Sequence, residues 1–200
     1  MRVSNAFINA GGGLPPFRLI NPGGRKMNKT VNISLTAIFA SLYAVGVILL
    51  APISYGEIQI RVIDCLIHLS AVFGWPVVLG VTIGNIVANI FGGLGIIDIV
   101  GGTAANFIAS LTVLYIKKAK PDYDSRKIEI LISYTSALIA TLIITLIVGS
   151  YLSIIFSVPM EIMVPSIFLG SFVAITIIGG TLSLILQNTE YVKSLQKGTG

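Results

Sequence analysis

The chain has 200 residues, of which 54% are hydrophobic and only 10% are charged, and its mean hydropathy is +0.93. Soluble domains carry about 25% charged residues, so this composition excludes an ordinary soluble domain and indicates an integral membrane protein. The formal net charge of +5 does not indicate nucleic-acid binding, because the Lys and Arg residues flank apolar segments without interleaved aromatic residues.

Glycine and proline mark the segment before the first apolar run. Residues 1–27 contain Pro15 and Pro16 between glycine pairs and triplets, and they lack the apolar core of a signal peptide. We predict a disordered leader, or an upstream start with Met27 as the true beginning. Residues 28–188 are predicted to form one membrane domain, and residues 189–200 a cytoplasmic tail.

Six apolar segments follow, and a crossing needs roughly 20 apolar residues. The second is short for a full crossing, at roughly 24 Å. The fold class predicted is all-α, a polytopic bundle of six transmembrane helices. The segments run from about Val31 to Leu50, Ile58 to Phe73, Trp75 to Phe91, Ile96 to Ile116, Ile128 to Val148 with an extension towards Phe156, and Val164 to Leu186.

The basic residues predict the orientation of these spans. Lys and Arg cluster in the amino-terminal segment, in the loop 117–127 and in the carboxyl-terminal tail, whereas the connections 51–57, 92–97 and 157–163 contain none. In a six-span chain the three basic regions lie on one side, so both termini are predicted to be cytoplasmic. The predicted location is the cell membrane, as a multi-pass protein.

Arg61 is the one basic residue outside these clusters. Asp64 follows three residues later and His68 four beyond that, a spacing that predicts one helical face. An ionised side chain at mid-bilayer costs at least about 2.5–3.5 kcal/mol, so Arg61, Asp64 and Asp98 are predicted to face the interior. An internal Arg61–Asp64 pair is an alternative that can coexist with ligand binding. For His68, a neutral hydrogen-bonded core role is favoured over ligand or proton work.

Further polar residues predict a pocket that opens outward. Asp98, Gly102, Asn106 and Ser110 recur every fourth residue and form a polar or small stripe on one helix. Asparagines in spans can bind a ligand or join helices by hydrogen bonds, and the sequence leaves both open. The candidate substrate-binding residues are Glu57, Gln59, Arg61, Asp64, Asn85, Asn89, Asp98 and Asn106.

Small residues in the first and third spans predict close helix packing. Gly80, Gly84, Ala88 and Gly92 recur every fourth residue. Ala40 and Ala44 form a flat strip that serves either an internal contact or docking to a partner subunit, and the two are weighted equally.

Motifs of enzymes are missing from the sequence. It has no phosphate-binding loop, no zinc-protease motif and no nucleophile elbow. One histidine and one cysteine do not supply a metal site, so neither a metal nor a cofactor is predicted. Energy for uphill transport would come from an ion gradient or from another subunit.

Two segments carry a family resemblance. Residues 55–62 (YGEIQIRV) and 88–100 (ANIFGGLGIIDIV) resemble the QueT-type family, the substrate-binding S subunits of energy-coupling factor (ECF) transporters assigned to queuosine precursors. The resemblance covers about residues 28–186. Asp64 departs from it, since the family typically has the longer glutamate there.

The resemblance implies a substrate-binding subunit that captures a deazaguanine base with an aminomethyl arm from outside. It implies a transmembrane coupling subunit and two ATPase subunits as partners, and it matches Ala40 and Ala44 to the docking positions. A carboxylate can accept both N–H donors of a guanine-like edge. We therefore hypothesise that Asp98 or Glu57 binds that edge and that Arg61 orients Asp64. The alternatives are an S subunit for another vitamin, a stand-alone secondary transporter and, less favoured, a membrane enzyme or assembly factor.

Overall fold

The computed structural model describes residues 29–54, 61–119 and 125–189, and within these ranges all regular structure is helical. A four-residue helix, Ala51–Ser54, follows the first long helix. The six main helices are α1 (Lys29–Leu49), α2 (Val62–Phe73), α3 (Trp75–Gly92), α4 (Ile96–Lys118), α5 (Arg126–Phe156) and α6 (Met160–Gln187).

Five of these helices, all except α2, are long and apolar enough to cross a membrane. The predicted all-α membrane fold is therefore confirmed at this level. Helix α2 has 12 residues and is about 22 Å long, too short to cross a bilayer by itself. The predicted second span began at Ile58, and residues 58–60 lie outside the described residues.

The predicted helix ends agree closely with the structure where glycine or serine takes a left-handed conformation. Helix α3 ends before Gly93 (φ 70°), and Gly95 (φ 92°) precedes α4, as the predicted tight turn requires. Helix α5 includes the predicted extension and ends before Ser157 (φ 54°). Helix α6 begins four residues before the predicted Val164, because Pro159 precedes its first turn.

Glycines bring α1 and α3 into close contact. A Cβ atom on Gly84 would lie 2.6 Å from the carbonyl oxygen of Ala40, and one on Gly80 would lie 2.6 Å from Cβ of Phe39. These two positions confirm the predicted packing face of α3. Ala44 is also buried, so the Ala40/Ala44 strip makes an internal contact in this structure. Docking of a partner subunit to the strip stays a prediction.

Helix α2 is not a regular α-helix. Val62–Leu69 is a 3₁₀ helix, and Ser70–Phe73 continues it as α-helix. It packs against a π-helical segment of α6, Phe172–Gly179. A Cβ atom on Gly179 would lie 2.8 Å from the carbonyl oxygen of Cys65, so the two backbones touch directly. Both irregular helices thus occur where α2 and α6 meet.

Candidate functional site

A buried polar cluster lies at one end of the bundle. It forms where α1, α3 and α5 end and where α2 and α4 begin, so the chain brings residues from five helices to one level. All members except the half-buried Tyr151 are buried. We call it the Arg61 cluster, and it comprises Tyr43, Arg61, Asp64, Asn85, Asn89, Asp98, Asn106 and Tyr151.

The Arg61 guanidinium group joins two helices. Its Nη1 donates to Oδ1 of Asn85 and its Nη2 donates to Oδ1 of Asn89, both at 2.9 Å. Because the two asparagines are four residues apart on α3, their side chains lie one turn apart and match the planar fork of arginine. Arg61 Nη2 is also 3.9 Å from Oδ1 of Asp98 on α4. Arg61 is thus held to α3 by two hydrogen bonds and to α4 by an ion pair.

Asp98 is fully buried in the first turn of α4. Its Oδ1 accepts a hydrogen bond from the hydroxyl of Tyr151 at 2.8 Å, and its backbone oxygen accepts one from Nδ2 of Asn89 at 2.8 Å. Its Oδ2 accepts no hydrogen bond from the described residues. One carboxylate oxygen therefore has capacity that this part of the chain does not use.

Asp64 is bound through a tyrosine on α1. The Tyr43 hydroxyl donates to Oδ1 of Asp64 at 2.5 Å and accepts from Nδ2 of Asn106 at 2.8 Å. The phenol therefore links α1 to α2 and α4 in the protein interior, and Tyr43 has no exposed surface. A tyrosine hydroxyl suits this role because it donates and accepts at the same time.

The predicted ion pair between Arg61 and Asp64 is not observed among the described residues. Arg61 pairs with Asp98 on another helix, and Asp64 is hydrogen-bonded to Tyr43. The shared face predicted for Arg61, Asp64 and His68 holds for Arg61 and Asp64, which both enter the cluster, and is wrong for His68. In a 3₁₀ helix of 3.0 residues per turn, a residue four positions on is rotated by about a third of a turn. His68 consequently points towards other helices.

Gly102 leaves the space that the cluster needs. A Cβ atom at this position would lie 2.6 Å from Nδ2 of Asn89 and 3.1 Å from Nδ2 of Asn85. It would also lie 3.2 Å from the Tyr151 hydroxyl oxygen. Both amide groups thus come close to the α4 backbone only because residue 102 has no side chain.

Most of the predicted site residues come together. The structure places the predicted residues Arg61, Asp64, Asn85, Asn89, Asp98 and Asn106 in one cluster, facing the interior as expected. Glu57 and Gln59, which were also predicted, lie outside the described residues. The predicted polar stripe of α4 is buried along its length, from Asp98 to Ser110.

The sequence reasoning missed Tyr43, Tyr151 and the role of Gly102. Tyr43 lies in an apolar run, where a tyrosine resembles an ordinary core residue. Its one available signal was its position three residues after Ala40, on the side of α1 expected to pack. Tyr151 lies in the extension of the fifth predicted span, beyond Val148.

The side chains of the Arg61 cluster are buried, and their atoms without partners among the described residues indicate what the cluster can bind. Nδ2 of Asn85 donates no hydrogen bond to the described residues, and Oδ2 of Asp98 accepts none. A buried donor and a buried acceptor without partners are costly unless a bound molecule or water satisfies them. They suit a small polar molecule with its own donors and acceptors. The predicted outward chamber remains a prediction.

His68 belongs to a second polar group near the opposite end of the bundle. Its Nδ1 is 2.9 Å from Oγ of Ser183 on α6, and its Nε2 is 3.0 Å from both the carbonyl oxygen of Ser133 and Oγ of Ser136 on α5. His68 has no exposed surface. The predicted hydrogen-bonded core role is confirmed, and we call these four residues the His68 network.

Comparison with known proteins identifies the family. The model of the QueT transporter family matches residues 33–188. The chain belongs to the QueT transporter family. It is therefore a multi-pass membrane protein of a transporter family, as the resemblance in segments 55–62 and 88–100 indicated.

One curated relative supports the assignment. The queuosine precursor transporter QueT of Lactococcus lactis subsp. cremoris (strain MG1363) is 37% identical over 100 residues, which are 49% of this chain and 59% of the relative. The alignment thus spans less than two thirds of that relative. No solved structure matches the chain.

Proposed function

We propose that this protein is the substrate-binding membrane subunit of an ECF-type transporter and that it captures a queuosine precursor, a deazaguanine base, for import. Family membership supports transport, and the name of the Lactococcus relative supports the class of substrate. The observation that carries the proposal is the buried Asp98 carboxylate, which keeps one oxygen without a hydrogen bond among the described residues.

Asp98 is suited to bind the edge of a guanine-like base. That edge presents parallel N–H donors, and a carboxylate accepts such donors strongly. Its Oδ1 is already held by Tyr151, so Tyr151 fixes the orientation of the carboxylate while Oδ2 accepts from the base. Nδ2 of Asn85 is the matching donor for a carbonyl oxygen of the ligand.

Arg61 holds this carboxylate in place. Its 3.9 Å contact with Asp98 compensates the buried negative charge. The hypothesis that Arg61 orients Asp64 is replaced by one in which Arg61 orients Asn85, Asn89 and Asp98. Asp64 and Glu57 remain the candidate acids for the cationic aminomethyl arm.

A ligand of the cluster must reach buried side chains. Residues 55–60 precede Arg61 directly in the chain, and we propose that Glu57 and Gln59 complete the outward side of the site. A site made of buried hydrogen bonds rejects analogues that lack the matching groups, because its own polar atoms are then left without partners.

The energy source is proposed to lie in partner subunits, a coupling membrane protein and two ATPases. Ala44 is buried, so the docking surface is proposed on a different face of α1. Ser34 and Ser41 are exposed there and are small enough to allow close approach of a partner helix. Ser41→Trp is expected to abolish co-purification of the coupling subunit.

Uptake by the protein without any ATPase partner would instead establish a stand-alone secondary transporter.

Single substitutions test the binding site. Asp98→Asn and Glu57→Gln are each made, and binding of 7-aminomethyl-7-deazaguanine is measured in detergent by calorimetry. Loss of a charged hydrogen bond costs about 1.5–3 kcal/mol, which is roughly a ten- to hundredfold rise in Kd. Ser136→Ala, a buried polar substitution in the His68 network, is the matched control and should bind normally. Unchanged affinity in both acidic variants would refute the assignment.

A further inference from the structure

The described residues also form an apolar groove on the outside of the bundle, away from the Arg61 cluster. It has a volume of about 500 Å³ and lies between α1 and α3. Its deeper walls are aliphatic and include Ile33, Leu79 and Ile83. The outer surface of a membrane-spanning bundle faces lipid, so a lipid molecule can occupy this groove.

The groove has the length of one leaflet. On α1 it extends from Lys29 to Ala40, and on α3 it extends from Pro76 to Ile83. Eleven residues of α-helix rise about 16 Å, which is close to half of the roughly 30 Å hydrocarbon core. Lys29 and Pro76 belong to the first turns of parallel helices, so both mark the same end of the groove.

The polar residues of the groove are concentrated at this end. Lys29 is exposed and forms no ion pair with the described residues. Asn32 is only 9% exposed, lines the groove and makes no side-chain hydrogen bond to the described residues. Thr36, one turn deeper, uses its hydroxyl to bond the carbonyl oxygen of Asn32. The wall of the groove is therefore apolar, and Lys29 adds an exposed cation at one end.

We propose that this groove binds an anionic glycerophospholipid, with an acyl chain between α1 and α3 and the phosphate beside Lys29. The ammonium group complements the phosphate. With the amino terminus cytoplasmic, as predicted above, the lipid belongs to the inner leaflet, where anionic lipids attract basic residues.

Native mass spectrometry of the full chain in mild detergent tests the proposal. Phosphatidylglycerol and phosphatidylcholine with identical acyl chains are titrated separately, and the lipid-bound fraction is compared. One lysine near an anionic headgroup corresponds to roughly a fivefold preference. We expect the protein to prefer phosphatidylglycerol by that factor. Lys29→Gln should bind both lipids equally.

Matched variants separate the groove from the general lipid surface. Ala37 lines the groove and is exposed, so Ala37→Phe should fill it and weaken binding of both lipids severalfold. Ile38→Phe, on the neighbouring lipid-facing position, and Lys127→Gln, an equal loss of charge on α5, should leave binding unchanged. Equal binding of both lipids by the unmodified chain would overturn the proposal. Equal losses of lipid binding in the control variants would also overturn it. So would a photocrosslinker at Ala37 that, in membranes, captures protein and no lipid.

Discussion

Arg61 and Asp98 form an ion pair between two different helices, with Nη2 and Oδ1 3.9 Å apart and both side chains almost fully buried. The pair connects the start of α2 to the start of α4, and the same guanidinium group holds two asparagines of α3. The structure of this end of the bundle therefore depends on one cation.

Removal of that cation should destabilise the protein strongly. Arg61→Gln leaves the Asp98 carboxylate buried without its countercharge, and such changes cost about 3–5 kcal/mol. Arg61→Lys keeps the charge but cannot donate to Asn85 and Asn89 in the same fork, so its effect should be smaller. Thermal unfolding in detergent measures both, and the exposed Lys127→Gln is the control. Equal stability of all three variants would contradict the role of Arg61.

Tyr43→Phe should destabilise the protein although it removes only one oxygen atom. The substitution leaves Oδ1 of Asp64 and Nδ2 of Asn106 without their common partner, at a cost of about 1–3 kcal/mol. Tyr115→Phe is the matched control, because Tyr115 is exposed on α4. Chemical denaturation of the two variants provides the comparison, and similar midpoints would show that the Tyr43 hydroxyl contributes nothing.

Gly102→Ala should weaken ligand binding. The added Cβ atom would lie 2.6 Å from the Asn89 amide nitrogen, so Asn89 and its contact with Arg61 must shift. Misplaced hydrogen bonds in a buried site cost about 1–3 kcal/mol each. At Gly149 an added Cβ meets the Val164 side chain at 3.1 Å, away from the cluster, so Gly149→Ala should bind ligand normally. Normal binding by both variants would show that the cluster tolerates the extra atom.

His68→Leu should affect stability and not ligand affinity. The His68 network joins α2 to α5 and α6 near the end of the bundle opposite to the Arg61 cluster. Loss of its hydrogen bonds should cost about 1–3 kcal/mol. Thermal unfolding and ligand calorimetry on the same preparation distinguish the two effects. A tenfold loss of affinity in a folded variant would mean that His68 takes part in binding.

Labelling of single cysteines tests the predicted orientation. In a Cys65→Ala background, Met160→Cys should react with a membrane-impermeant maleimide on intact cells. Ala119→Cys should react only after permeabilisation, because it follows the basic end of α4 on the predicted cytoplasmic side. Both positions are exposed. The reverse pattern would invert the topology and place the Arg61 cluster at the cytoplasmic face.

Regular helices could be predicted from sequence, and so could the residues that they carry. Apolar length and glycine stop signals placed α3 and α4 within two residues of their observed ends. The four-residue spacing of Asp98, Gly102 and Asn106 predicted their common buried face because α4 is a regular α-helix.

Predictions failed where packing between helices, rather than local sequence, determines the geometry. The 3₁₀ form of α2 and the π segment of α6 occur where Gly179 admits the α2 backbone, and no local pattern specifies that contact. The altered helical phase separates His68 from Arg61 and Asp64. Tyr43 was missed for a related reason, since its hydroxyl partners come from other helices.

Native mass spectrometry of the purified protein, alone and after addition of 7-aminomethyl-7-deazaguanine, tests the central claim most directly. We predict a complex with one bound base in the unmodified chain, weakened about tenfold or more by Asp98→Asn and unaffected by Ser136→Ala. A folded unmodified protein that binds no deazaguanine, or an Asp98→Asn variant that retains it fully, would contradict the account.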